Sequence, residues 1–295
     1  MRTIGEILRL SVDHVAKRGG RPRHEVEELI AHALGMKRLD LYLKFDRPIE
    51  EGEAASIRTG IARLAADEPL AYVLGTASFY GREFIVTPDV LIPRPETEVL
   101  VSVVEKWLVK QPSPGTIVDV GTGSGCIGLT LKALFPSWRV VLSDICEKAL
   151  AIARRNAQKL QLDVELIQGD LLGSFSGRAE CIVSNLPYLS LKEWNEADRS
   201  VAEFEPKGAL LAGPTGTEVY QRLFDALQIS LVPEGLCAVE IGAQQGPAVL
   251  ALAQKSGTAS LIQDFSGRDR VVELKKNSSL GYTASFKEER ACFLR

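Results

Sequence analysis

The sequence predicts an α/β fold: a mostly parallel, seven-stranded sheet covered by helices, preceded by a small helical bundle and a β-hairpin linker. Three observations carry this. Apolar, β-rich runs recur at 116–120, 138–143, 163–168, 180–184 and 236–241 with helical stretches between them, and such alternation implies parallel strands with helices on both faces. From Thr3 to about Asp67 the rhythm is purely helical. Between the two, residues 70–95 change register around glycines and closely spaced prolines.

In order along the chain, Ile4, Ile7, Leu8 and Leu10, then Val26, Leu29, Ile30 and Ala33, recur at three- and four-residue spacing, as core faces of helices do. Gly19-Gly20 and Gly35 punctuate them, and Pro22 suits a second helix start. Ala71 to Gly75 and Ser78 to Val86 read as strands around a glycine turn. The stretch L-I-P-R-P-E-T-E cannot be a regular helix, because Pro93 and Pro95 hold the residues before them extended. A helix is expected from Glu96 to about Lys110, broken by Pro112 to Gly115. Two further strands are expected at 259–264 and 270–275, and periodicity weakens from Lys276 onward. The expected division is 1–69 helical, 70–95 linker, 96–276 sheet domain and 277–295 C-terminal tail.

Composition excludes several function classes. The chain has 295 residues, with 35 basic and 38 acidic side chains for a net charge of −3, so it carries no excess of positive charge for a long nucleic-acid footprint. The five cysteines form no C-x-x-C pair and fit reduced thiols. His14, His24 and His32 lack metal-ligand spacing, so no metal site is expected. The N-terminus has no signal-peptide core and no 18-residue apolar run exists, which leads to the expectation of a soluble, cytoplasmic protein with no membrane partner.

The chemistry gathers at strand ends. T-I-V-D-V-G-T-G-S-G-C runs from a strand through Gly121, Thr122, Gly123, Ser124 and Gly125 into a helix; these glycines allow a tight turn and close approach of backbone to a ligand. Cys126 stands where the dinucleotide fingerprint has its third glycine, which weakens a nicotinamide reading, and no Gly-Lys-Ser/Thr follows to make a P-loop. The next strand ends in Asp144, placed to accept from both hydroxyls of a ribose. The third ends in Asp170, an edge that can meet an adenine with Leu171 packed on the ring.

The fourth strand ends in Asn185-Leu186-Pro187-Tyr188. If the nucleoside is S-adenosylmethionine, the acceptor that best matches this tetrad is a planar NH2 group. Its two N–H bonds need two fixed acceptors, and the Asn185 side-chain oxygen and the Leu186 carbonyl can supply them. Pro187 confines Leu186 to extended geometry, and Tyr188 can pack against the flat acceptor and exclude water.

P-L-A-Y-V-L-G at 69–75, F-Y-G-R-E-F at 79–84, L-I-P-R-P-E-T-E at 91–98, D-V-G-T-G-S-G at 119–125, S-N-L-P-Y at 184–188 and F-E-P at 204–206 together resemble the PrmC/HemK family. These are S-adenosylmethionine-dependent enzymes that methylate N5 of the glutamine in the Gly-Gly-Gln motif of class I peptide-chain release factors. The resemblance reaches from the helical region to about residue 275. It implies a Rossmann-like class I methyltransferase domain, with Gly121 to Gly125, Asp144, Asp170, Leu171 and Asn185 lining the cofactor. It implies that Asn185, Leu186, Pro187 and Tyr188 hold the target amide, Asn185, Pro187 and Tyr188 being the catalytic set. It also implies that the N-terminal bundle docks the release factor. The family usually has Asn-Pro-Pro-Tyr; here Leu186 keeps the carbonyl and gives up some rigidity.

Asn-Leu-Pro-Tyr is also similar to the tetrad of rRNA adenine-N6 dimethyltransferases, so nucleic-acid methylation is the alternative enzyme reading, against which stand the acidic balance and the 91–98 stretch. A non-catalytic binding module is the third. Several residues keep two readings. Arg94 and Glu96 either help close the substrate site or form a surface ion pair. Glu205 either orients the loop after the tetrad or sits in a simple turn, and Glu240 either supports the site or faces solvent. Trp138 and Trp194 are read as packing residues.

Overall fold

The computed structural model describes residues 2–18 and 20–277. Five helices open the chain: α1 (Ile4–Ala16), α2 (Arg23–Ala33), α3 (Asp40–Leu43), α4 (Glu51–Leu64) and α5 (Leu70–Leu74). α1 begins at a capping box in which the Glu6 N–H donates to Thr3 Oγ1 and the Thr3 N–H donates to Glu6 Oε2, so two otherwise orphaned donors are satisfied. Of the expected core faces, Ile4, Leu8, Val26, Leu29 and Ile30 meet in one buried cluster with Ile57 and Leu64; Ile7 and Ala33 are partly buried against it, whereas Leu10 is exposed.

Residues 71–75, expected as a strand, are instead the short helix α5, started by Pro69 and stopped by Gly75 at φ 76°. The reason is that this apolar run serves two cores. Leu70, Val73 and Leu74 turn into the helical bundle, while Ala71 and Tyr72 turn the other way, against Val86, Val90 and Ile92. A helix offers those two faces at i, i+3 and i+4. The hairpin follows as β1 (Thr76–Phe79) and β2 (Arg82–Ile85), closed by Tyr80 and Gly81 with φ of 49° and 71°. Buried Asn156 fastens it: Asn156 Oδ1 accepts from the Ile85 N–H at 2.7 Å, and Nδ2 donates to the carbonyls of Ile85 and Ser124.

After a 3-10 turn at Pro95–Thr97, α6 (Glu98–Leu108) leads into alternating strands and helices. These are β3 (Thr116–Val120), α7 (Cys126–Leu134), β4 (Arg139–Asp144), α8 (Glu147–Leu160), β5 (Glu165–Gln168), β6 (Ala179–Ser184), the short β7 (Leu189–Ser190), α9 (Leu191–Asn195) and α10 (Arg199–Phe204). Then come β8 (Leu211–Gly213), α11 (Glu218–Ser230), β9 (Leu231–Glu240), α12 (Gly246–Ala253), β10 (Thr258–Gln263) and β11 (Asp269–Lys275). The seven-stranded sheet has the order β10-β11-β9-β6-β3-β4-β5. β5, β4, β3, β6 and β9 pair in parallel and β11 runs against both its neighbours.

Alternate side chains feed opposite faces, as the two-residue period of a strand requires: Ile117, Cys181 and Val183 lie in one buried cluster, Val118, Val120 and Ile182 in the other. From β3 the chain winds outward through β4 to β5, then returns to β6 on the other side of β3. The loops leaving β3 and β6 therefore part, which opens a crevice at the carboxyl ends of two adjacent strands. The expected tail over 277–295 lies outside the described residues from 278 onward. Lys276, where periodicity fades, is tied down, its Nζ donating to the carbonyls of Leu227, Gln228 and Leu231 at the end of α11. Among the described residues no helix is long and apolar enough to cross a membrane.

Candidate active site

The loop after β3 is held by its own polar groups. The Gly121 and Thr122 N–H groups both donate to the Ser143 carbonyl on β4, at 2.8 and 2.9 Å. Gly121, Gly123 and Gly125 have φ of 70°, 55° and 82°, a region in which a side chain is strained. Buried Asp119 accepts from Thr122 Oγ1 at 2.6 Å and from the Gly128 N–H at 2.9 Å, so the loop is bolted to the start of α7; burial pushes its pKa up to about 6. A Cβ on Gly123 would meet no atom within 4 Å, so this stretch of backbone is bare. Gly125 turns inward, its Cβ position 2.9 Å from Leu129 Cδ1, and serves the start of α7.

Asp144 closes the shelf from β4. Its Oδ2 accepts from the Gly123 N–H and its Oδ1 from the Cys146 N–H, each at 2.9 Å, and burial raises its pKa. Each oxygen keeps a lone pair for another donor. Asp170, after β5, is exposed and ion-paired with Arg222 of α11, so its carboxylate is already engaged. Leu171 adopts φ 50°, and its carbonyl accepts from Ser143 Oγ at 3.2 Å.

At the end of β6, Asn185 Nδ2 donates to Thr97 Oγ1 at 3.2 Å, while Asn185 Oδ1 is buried with no partner among the described residues. A buried carbonyl oxygen without a donor is costly and rare, and marks a place where a donor is missing. Leu186 is buried, with its Cδ2 3.2 Å from where a Cβ on Gly121 would sit, so the tetrad and the glycine loop brace each other. Tyr188 is half-buried, its N–H donating to the Leu210 carbonyl and its carbonyl accepting from Gln245 Nε2 at 2.8 Å; burial raises its pKa.

The 91–98 stretch straps over this end of the sheet. Arg94 pairs with Glu205, not with Glu96, and Glu205 Oε2 accepts from the Ile92 N–H, so a 2% exposed carboxylate pins the strap. Glu205 thus anchors two segments and is no simple turn residue. Glu240 does not face solvent: it is 1% exposed beneath the strap, its Oε2 unpartnered. Burial pushes its pKa up to about 7, opposed by the polar Thr97 hydroxyl and by Arg270 and Arg94. Trp138 is buried against Trp107, and Trp194 packs under the Lys207 ammonium.

These parts enclose a cavity of about 450 Å3, within the usual range for small-ligand sites. Gly121, Thr122, Gly123, Ser124, Asp144, Asp170, Leu171, Asn185, Leu186 and Pro187 all line it; Gly125 and Tyr188 do not. A larger cavity, about 900 Å3, lies apart, between α1 and α4 of the helical bundle. Sequence reading missed Thr97 and Arg222 as parts of the first cavity. Thr97 lay inside a quoted motif, but only its contact across 88 residues gives it a role. The bare glycine shelf and the half-open Asp144 fit a nucleoside cofactor, and Asn185 Oδ1 lines the same crevice.

Comparison with known proteins identifies the family. The PrmC N-terminal domain family matches residues 6–75, and the methyltransferase small domain family matches residues 95–204. The release factor glutamine methyltransferase of Enterococcus faecalis is 42% identical over 236 residues, covering 78% of this chain and 83% of that protein. The enzyme of the same name from Geobacter sulfurreducens is 38% identical over 274 residues, covering 92% and 95%. In fold, the chain is similar to a methyltransferase from Pyrococcus furiosus, with a TM-score of 0.50 at 17% identity, covering 75% of this chain and 99% of that one. At such identity over nearly its whole length, the chain belongs to the release factor glutamine methyltransferase family.

Proposed function

We propose that this protein transfers a methyl group from S-adenosylmethionine to N5 of the glutamine in the Gly-Gly-Gln motif of class I release factors. What carries the reading is the Asn185 side-chain oxygen, buried, without a donor, and lining the same cavity as the glycine shelf. Gly121 to Ser124 and Asp144 would hold the cofactor along the ends of β3 and β4, and Leu171 would pack near its base. Asp170 would act there only as half of its pair with Arg222. When bound, the cofactor supplies an electrophilic methyl on a sulfonium.

The chain's own residues supply orientation. An amide nitrogen is a poor nucleophile, because its lone pair is delocalised into the carbonyl. Asn185 Oδ1 and the Leu186 carbonyl accept its two N–H bonds, hold it in line and stabilise the positive charge that develops on it. Alignment of this kind in a closed site is worth up to about 7–11 kcal/mol in intramolecular models. The alkylated nitrogen is acidic and loses its proton to water, so no base is asked of the chain. Tyr188 braces the tetrad through the bonds of its backbone to Leu210 and Gln245, and its ring would pack near the acceptor. The helical bundle over 1–69 would dock the release factor, the hairpin and linker over 70–95 would join it to the sheet domain, and 96–276 would carry the transfer.

Labelled cofactor tests this directly. Label should enter a release factor and fail to enter one whose motif glutamine is replaced by alanine. Label entering rRNA alone would overturn the assignment in favour of adenine methylation.

A further inference from the structure

Asn156 interrupts the apolar buried face of α8, beside Ala149, Ile152, Ala153 and Ala157, and none of it is exposed. A carboxamide in such a place is costly unless it is hydrogen-bonded at both ends. Here it is. Asn156 Oδ1 accepts from the Ile85 N–H at 2.7 Å, and Nδ2 donates to the Ile85 carbonyl at 3.0 Å and to the Ser124 carbonyl at 2.8 Å. One end of the amide meets a donor and the other meets two acceptors, so it cannot be turned round without setting like against like. The partners lie far back in the chain, 71 residues away on the hairpin and 32 away in the glycine loop.

The Ser124 carbonyl needs that donor. At the head of α7 it would ordinarily accept from the N–H four residues on, but the Gly128 N–H is taken by buried Asp119 Oδ2 at 2.9 Å. Asn156 Nδ2 replaces it. α8 also presses on the next residue of the loop, the Ala153 Cβ lying 3.3 Å from where a Cβ on Gly125 would sit. Ala153 and Asn156 are three residues apart and share one face of the helix. On its other side the loop is tied to β4, through the Ser143 carbonyl and the Asp144 carboxylate. The loop is thus gripped from two sides, and the α8 side carries the grip on to the hairpin.

We propose that Asn156 is a positioning residue for the cofactor: it fixes the Ser124 end of the glycine loop in its ligand-ready place and keys that place to the hairpin. The inference rests on the reading that this loop holds the cofactor, and deepens it. Asn156 does not line the crevice, so it acts through Ser124, which does. Coupling between a site and its supports is reciprocal, so a ligand settled on the loop must in turn steady the Asn156 bonds, the bond to Ile85 included.

Calorimetry with S-adenosylhomocysteine, the demethylated product of the cofactor, tests the first half. Asn156→Ser keeps a hydroxyl that can serve one carbonyl and gives up the rest. Its Kd should rise roughly tenfold, the scale of one lost hydrogen bond, while kcat at saturating cofactor stays within about twofold. A residue that only stabilises the fold would lower Tm and leave the Kd of the folded protein alone, so an unchanged Kd in folded Asn156→Ser overturns the proposal.

Hydrogen exchange in the wild-type protein tests the second half and needs no variant to fold. Saturating S-adenosylhomocysteine should slow exchange at the Ile85 amide severalfold, although that amide sits on the hairpin and outside the crevice. If the Gly121 to Gly125 amides gain protection and Ile85 does not, the loop is not keyed to the hairpin and the proposal fails. If the protein binds no S-adenosylhomocysteine, the cofactor reading falls and this inference falls with it. If binding and the Ile85 response are both seen while no release factor is methylated, the substrate assignment alone fails and Asn156 keeps its part.

Discussion

The loops that leave β3 and β6 start side by side, and they handle their polar groups in opposite ways. After β3, the Gly121, Thr122 and Gly123 N–H groups all find acceptors on β4, and Asp119 ties the loop to α7. After β6, the Asn185 oxygen has no donor among the described residues. The first loop's backbone donors are satisfied, although Asp119 Oδ1 and Ser124 Oγ also lack partners, and in the proposed reaction a ligand would lie on it. A substrate donor would complete the second loop, because an unpaired buried acceptor stores free energy that a correctly placed donor releases.

The sharpest way to break this contrast is to remove the gap. Asn185→Ala should cut kcat about 100- to 1,000-fold, the scale seen when one transition-state hydrogen-bonding group is lost. Cofactor affinity, measured by calorimetry, should stay within about twofold, since among the described residues the Asn185 side chain bonds only Thr97 and the shelf is built without it. Comparable losses in affinity and turnover would show that the two loops do not divide the labour. The converse change is Gly123→Val. A β-branched residue at φ 55° is strained by roughly 1–2 kcal/mol, and its methyls would project from a stretch of backbone now bare. Cofactor Kd should rise about tenfold or more, with kcat at saturation nearly kept; an unchanged Kd would mean that the shelf is not where the cofactor lies.

Both loops were legible in the sequence because their signals are local. G-x-G-x-G after a strand, and Asn-Leu-Pro-Tyr after another, declare a bare turn and a rigid acceptor within a few residues. The sheet strands were legible for the same reason, since each carries a short apolar run; β9 runs further back than the expected 236–241, to Leu231, through Pro233, Glu234 and Gly235. What joins the loops was not. Arg94 and Glu205 lie 111 residues apart, Thr97 and Asn185 lie 88 apart, and only tertiary packing brings them together. Each also had a plausible local partner or role: Glu96 stood beside Arg94, and Pro206 made Glu205 look like a turn residue. The short helix α5 was misread for a related reason. A run of five apolar residues says nothing of whether one core or two will receive it.

The strap that bridges the two loops gives a middle-sized effect. Arg94→Met leaves the Glu205 carboxylate buried without its cation, although the Ile92 N–H remains. Because Arg94 is itself a third exposed, the cost should fall below that of a fully buried pair, at about 2 kcal/mol, or a few degrees in Tm. Adding Glu205→Gln should recover part of it, since the remaining buried group is then neutral. If the double variant is less stable than Arg94→Met alone by the full cost of the second change, the pair does not act as a unit.

The smallest effect should come from the one position at which the tetrad departs from the usual family form. Leu186 contributes two things: a carbonyl fixed by Pro187, and a side chain wedged against Gly121. Leu186→Pro keeps the carbonyl and stiffens its own φ, but shortens the side chain that braces the glycine loop. Stiffening and lost contact act on different loops, so they should separate in the kinetics. Turnover should change by no more than about threefold, because the Leu186 oxygen is preserved and Pro187 already restricts it. Cofactor Kd should rise by a similar factor and Tm should fall by a few degrees, as the loop after β3 loses a packed neighbour. A gain in kcat with Kd unchanged would reverse this assignment: rigidity at residue 186 would then matter more to the acceptor than the leucine matters to the shelf.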